Sequence, residues 1–194
     1  MTNDQQPTTG NQQPITIGVL ALQGDFAEHK AMLAALKIRS IEIRSTKDLE
    51  GCDALIIPGG ESTVMMKLLK ETGLDQSIID RVRSGMSIFG TCAGAIVLSD
   101  SHLKLMDISV ERNAYGSQLQ SFSDQIDIKN IGSIEATFIR APIITHVGQN
   151  VSILATHNDH PVLVQQGNIV ASTFHPEVRS EMAIHQLFVG CLHY

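Results

Sequence analysis

Residues 15–60 read ITIGVLALQGDFAEHKAMLAALKIRSIEIRSTKDLEGCDALIIPGG, and the alternation within this stretch decides the fold. ITIGVLAL (15–22) is a continuous apolar run of strand length, the pattern of a strand covered on both faces. In DFAEHKAMLAALK (25–37), Phe26, Met32, Leu33 and Leu36 recur at helical spacing, and Asp25 with Glu28 resembles an acidic variant of a capping box. IRSIEIR (38–44) alternates like a strand, and ALIIPGG (54–60) is a third strand stopped by Pro-Gly-Gly. Strands and helices in this rhythm imply βαβ units, hence an α/β fold with a mostly parallel, doubly wound sheet.

Downstream, Ser62 is placed to cap the helix STVMMKLLKETG (62–73), which ends at a glycine, and a shorter helix is expected over about 75–84. MSIFGTCAGAIVLS (86–99) then runs a buried strand into another helix. From about Leu105 the rhythm changes. LMDISVERN, FSDQIDI, SIEATFIRAP, VSILATHND, PVLVQQG and NIVASTFHP read as short strands with turns between them, an antiparallel portion attached to the parallel sheet and closed by a helix from about Ser180. Upstream, residues 1–14 hold one apolar residue, Met1, among Gln, Thr, Asn and Pro. They are expected to be a disordered tail before one domain over 15–194.

Composition narrows the function. A chain of 194 residues that is 43% hydrophobic can bury a core of its own. The formal net charge of -6 argues against a general attraction to nucleic acid or anionic membrane. No run approaches the roughly 20 apolar residues of a membrane span, and the N-terminus lacks the order of a secretion signal. The expectation is a soluble, cytoplasmic protein that meets a small substrate or a protein partner. Cys52, Cys92 and Cys191 form no C-x-x-C pair, so neither a disulfide framework nor a zinc knuckle is implied.

The most informative segment is Gly90-Thr91-Cys92-Ala93-Gly94, a G-x-C-x-G turn between strand and helix. It has the form of a nucleophile elbow: glycines permit the sharp turn, and the helix N-terminus favours thiolate over thiol. The same turn aims the backbone N–H of Ala93 at the place where an oxyanion would form. The plainer alternative is a small buried core cysteine. A base is available in TFHPE, where Pro176 extends the backbone at His175 and residues two apart point to one side, so Glu177 can reach the far nitrogen of His175. Pro58-Gly59-Gly60-Glu61-Ser62 closes the third strand, and the carboxyl ends of parallel strands share one crevice. A backbone N–H near Gly60 is thus a candidate second oxyanion donor, the alternative being a simple turn and N-cap. His157 and His160 lack a third metal ligand nearby in sequence, His29, His185 and His193 fit helix faces, and Met65-Met66 reads as core.

PGGEST, GTCAG, RNAYG, FIRAP and TFHPE, in this order with VLALQGDFAEH, resemble the family of glutaminase subunits of pyridoxal 5'-phosphate synthase, within the class I glutamine amidotransferases. The similarity runs from about Ile15 to the C-terminus. It implies a three-layer, flavodoxin-like class I amidotransferase fold, with Cys92 as nucleophile and His175 and Glu177 completing a triad. It also implies glutamine contacts from Gly60, Glu61, Ser62, Arg112, Ile139 and Arg140, and an oxyanion hole from Gly60 and Ala93 that synthase docking completes. No cofactor and no metal are implied. The implied partners are L-glutamine and a synthase subunit that takes the ammonia to make pyridoxal 5'-phosphate from a pentose phosphate and a triose phosphate. An arginine fork suits the substrate α-carboxylate, and either arginine fits that role. Ser117-Gln118 departs from the Arg-Gln usual in the family, and Val178-Arg179-Ser180-Glu181 departs from its usual leucine and threonine. A cysteine peptidase or chaperone-like hydrolase on a similar sheet, or a non-catalytic binding subunit, are the rival classes.

Overall fold

The computed structural model describes residues 14–112, 121–179 and 182–193. The expected tail, apart from Pro14, lies outside them, as do the RNAYG residues after Arg112, Ser117-Gln118 and Ser180-Glu181. Among the described residues no helix is long and apolar enough to cross a membrane.

The chain runs β1 (Thr16–Leu20), α1 (Phe26–Ala35), β2 (Arg39–Ile43), α2 (Thr46–Glu50), β3 (Ala54–Ile57), α3 (Ser62–Thr72), α4 (Leu74–Arg83), β4 (Ser87–Thr91) and α5 (Ala93–Leu98). It continues through β5 (Ile108–Glu111), β6 (Ser121–Ile128), β7 (Gly132–Ile139), β8 (Ile143–Val147), β9 (Ser152–His157), β10 (His160–Gln166), β11 (Ile169–Ser172) and α6 (Met182–Gly190). A seven-stranded sheet has the order β2-β1-β3-β4-β11-β10-β9. The first five strands of that order pair in parallel, and β10 and β9 continue the edge antiparallel.

Both faces of this sheet are covered, which is why its central strands are apolar without alternation. In β3, Leu55 and Ile57 join a core with Leu49 of α2, Met65 and Leu69 of α3, Ile78 of α4 and Val97 of α5. Ala54 and Ile56 face the other way, to Leu33 of α1, Ile184 and Phe188 of α6, and Ile126, Ile134 and Phe138 of the β6–β7 hairpin. The period-two geometry of a strand thus sends adjacent side chains into two separate cores.

Four details differ from the sequence expectation. The segment NIVASTFHP supplies β11, which lies parallel to β4 inside the main sheet, because its residues are buried on both faces. The β5–β8 and β6–β7 ladders are separate two-stranded sheets, and only β10 and β9 extend the main one. Asp25 makes no side-chain cap hydrogen bond to α1. Glu61, not Ser62, caps α3, accepting from the N–H groups of Thr63 and Val64, while the buried Ser62 hydroxyl has no hydrogen-bond partner among the described residues. The longer carboxylate reaches two orphan donors at once and carries the charge that a helix N-terminus favours.

Candidate active site

β3, β4 and β11 are neighbours, run in parallel and end in register, Ile57 opposite Gly90 and Ser172 opposite Thr91. The residues that follow each strand therefore meet at one sheet edge: Pro58–Ser62, Cys92 and His175. The segment after β1, with Gln23 and Asp25, adds a fourth wall. The result is a cleft of about 340 Å³ at the carboxyl ends of the strands, where ligands bind in open α/β sheets.

Cys92 stands at the elbow with φ 48° and ψ -104°, a region an L residue enters only when its surroundings force it. Here they do. The Cys92 N–H donates to Ser172 O at 2.8 Å, tying the turn to β11. A Cβ at Gly94 would lie 2.2 Å from Ile57 O, so α5 approaches β3 only with glycine at that position. Ala93 opens α5, and its N–H is one of those that a helix leaves without an internal partner.

The backbone N–H of His175 donates to Thr137 O at 2.8 Å, so β7 fixes the chain at this residue. His175 Nδ1 lies 2.6 Å from Glu177 Oε1, the i, i+2 contact expected from an extended backbone. The Glu177 side chain is fully buried behind the imidazole. With Nδ1 committed to the carboxylate, Nε2 is the nitrogen left to face Cys92. Burial alone pushes His175 towards the neutral form, but hydrogen bonds to Cys92 and Glu177 and their negative charge outweigh it. Its pKa is pushed up to about 10.

Gly60, Glu61, Ser62, Arg112, Ile139 and Arg140 all line the cleft with Cys92, Ala93 and His175. Gly60 sits at φ 149°. Ile139 O is 3.9 Å from the Cys92 sulfur. Arg112 donates to Thr63 Oγ1 at 2.8 Å and pairs with Glu61. Burial raises the Glu61 pKa, but the N–H groups of Val64 and Thr63 and the Arg112 guanidinium hold it below the usual carboxylate range. Arg140, at φ 45°, has no ion-pair partner among the described residues.

Sequence reasoning missed two contributors. Asp25 Oδ2 lies 3.4 Å from His175 Nδ1, on the cleft side of the ring. Its place directly before α1 had marked it only as a helix cap. His29, read as a helix-face residue, is fully buried against Thr91, His185 and Glu177. On distance alone, Asp25, His175 and Glu177 could hold a metal ion. The histidine atom available to it is the Nδ1 that contacts Glu177, so a cation there would take the imidazole out of proton transfer.

The sheet order, elbow and antiparallel edge are those of a glutamine amidotransferase. A solved structure described as a glutamine amidotransferase superposes with TM-score 0.88 at 43% identity, over 92% of this chain and 99% of that one. PurLQS from Thermotoga maritima superposes with TM-score 0.73 at 13% identity, over 93% of this chain and 100% of that one, a likeness of fold. Residues 19–193 match the SNO glutamine amidotransferase family, and the chain belongs to that family. It is 46% identical to the pyridoxal 5'-phosphate synthase subunit PdxT of Thermus thermophilus, over 89% of this chain and 95% of that protein. It is 47% identical to PdxT of Haemophilus influenzae, over 89% and 96% of the two chains.

Proposed function

We propose that this chain is the glutaminase subunit of a pyridoxal 5'-phosphate synthase, releasing ammonia from L-glutamine for a partner synthase subunit. The observation that carries the reading is that Cys92 and His175 line one cleft small enough for a free amino acid, with the buried Glu177 carboxylate 2.6 Å behind His175 Nδ1.

The Cys92 thiolate attacks the side-chain amide carbon of glutamine, and N–H groups of Ala93 and Gly60 hold the oxyanion. The His175 imidazolium gives its proton to the departing ammonia, leaving a γ-glutamyl thioester. The neutral imidazole then takes a proton from water, whose oxygen attacks the thioester carbon. Glutamate leaves, and thiolate and imidazolium are restored. One water is consumed per amide cleaved. Glu177 keeps Nε2 turned to the sulfur throughout.

Arg112 is already engaged by Glu61 and Thr63, whereas Arg140 has no ion-pair partner among the described residues, so Arg140 is our choice for the substrate α-carboxylate. The backbone freedom of Gly60 suits a loop that turns its N–H to the substrate when the synthase docks. A cytoplasmic location belongs to the same proposal; among the described residues no helix is long and apolar enough to cross a membrane. The test is glutamate release by the full chain, alone and with its synthase subunit, for wild type and Cys92→Ala. No release by wild type in the complex, or equal release by the variant, overturns the reading.

A further inference from the structure

Behind the triad lies a second layer. Glu177 spends Oε1 on His175, and its Oε2, equally buried, has no hydrogen bond among the described residues. A buried carboxylate oxygen without a donor is costly. A donor candidate is Nε2 of His29, 3.5 Å away on α1 and also 3.1 Å from Thr91 Oγ1. His29 Nδ1 lies 2.9 Å from His185 Nε2 on α6. Both rings stand edge-on to Phe89.

Resting on the glutaminase reading above, we propose that His29 is a positioning residue. Its Nε2–H faces the second oxygen of Glu177 and fixes the carboxylate behind His175. The proposal sets the tautomer, with Thr91 Oγ1, which can accept as well as donate, sharing the Nε2–H. With a carboxylate oxygen before it, Nε2 carries the hydrogen, so Nδ1 accepts, and the hydrogen between the rings belongs to His185 Nε2. Charge agrees with this. Burial, then the neighbouring His185 and His175, hold His29 well below the usual histidine range, so it serves as a neutral donor. One neutral donor beside Glu177 adds no charge to the buried Cys92, His175 and Glu177 array.

The test compares two amide side chains in the full complex. His29→Gln places its amide nitrogen near the position of Nε2 and keeps a donor towards Glu177. His29→Asn stops near Nδ1 and withdraws it. His29→Asn is expected to lower kcat for glutamine roughly ten- to a hundredfold, the loss typical of groups that orient a catalytic ligand from behind. KM should stay nearly unchanged and His29→Gln should recover most of the rate. In a Glu177→Gln background, where the carboxylate is gone, His29→Asn should add little further loss. A fully active His29→Asn, equal damage from both amides, or losses that simply multiply in the double variant would overturn the proposal. Trapping by a glutamine-like chloroketone separates this from the parent reading. Label on Cys92 together with an active His29→Asn sinks only the positioning role, whereas label elsewhere sinks the glutaminase assignment itself.

Discussion

Gly59 and His175 touch so closely that only hydrogen fits between them: a Cβ on Gly59 would lie 2.4 Å from His175 Cε1 and 3.0 Å from its Nδ1. The loop has little room to retreat, because Gly59 O accepts the Asp25 N–H at 3.2 Å. In Gly59→Ala the imidazole must therefore move. A displacement near 1 Å at a reacting group costs on the order of a hundredfold in rate. We expect Gly59→Ala to fold, by circular dichroism, and to lose about that much kcat/KM for glutamine. Near wild-type turnover would show that the ring and the loop are not held against each other.

The three thiols differ in setting. Burial pushes the Cys52 thiol up despite the nearby Arg81, and burial likewise raises Cys191. Both are poor nucleophiles at neutral pH, whereas Cys92 faces a protonated imidazole. A glutamine-derived chloroketone at pH 7.5 is expected to label Cys92 and to spare the other two, as read by peptide mass spectrometry. Modification of Cys52 or Cys191 first would contradict this.

The two cleft arginines should separate kinetically. Arg140→Gln removes the fork we assign to the α-carboxylate, so KM for glutamine should rise by about tenfold or more, the loss of a charge-assisted hydrogen bond. Arg112→Gln mainly frees Glu61, which keeps its two backbone donors on α3, and should raise KM less. Reversal of that order would move the carboxylate to Arg112.

Why some of this was readable from sequence and some was not has a physical explanation. β1, β3 and the elbow announce themselves locally, through unbroken apolar runs and glycines at fixed offsets. α2 is five residues long, too short for apolar periodicity, although its Ser45–Asp48 capping box was a usable sign. β8 follows directly on Pro142 and merges with the end of the FIRAP segment. His29 and His185 are 156 residues apart, and each alone reads as a polar residue on a helix. Their meaning exists only once α1 and α6 share one face of the sheet. Ser62 is the preferred cap by type, and geometry at the end of β3 chose the Glu61 carboxylate instead.

The pH profile should report the Glu177 contact directly. An ordinary imidazole, with a pKa of about 6.5, would be neutral through most of the range above pH 7, but His175 is raised to about 10. The sign matters. An upward shift keeps the imidazolium, the acid that protonates ammonia, present through neutral pH, and its loss begins only as pH climbs towards the raised value. We therefore expect kcat/KM for glutamine in the complex to hold between pH 7 and pH 9 and to fall nearer 10. Glu177→Gln removes one of the contributions that raise His175, so its alkaline fall should begin at lower pH. His175→Asn should lose activity nearly as severely as Cys92→Ala at every pH, since triad members act as a unit, whereas Glu177→Gln should lose less. The measurement is a pH–rate series from 6 to 10.5 on the three variants and wild type. An alkaline limb that stays in place in Glu177→Gln would mean that the carboxylate 2.6 Å from Nδ1 does not hold the proton on His175.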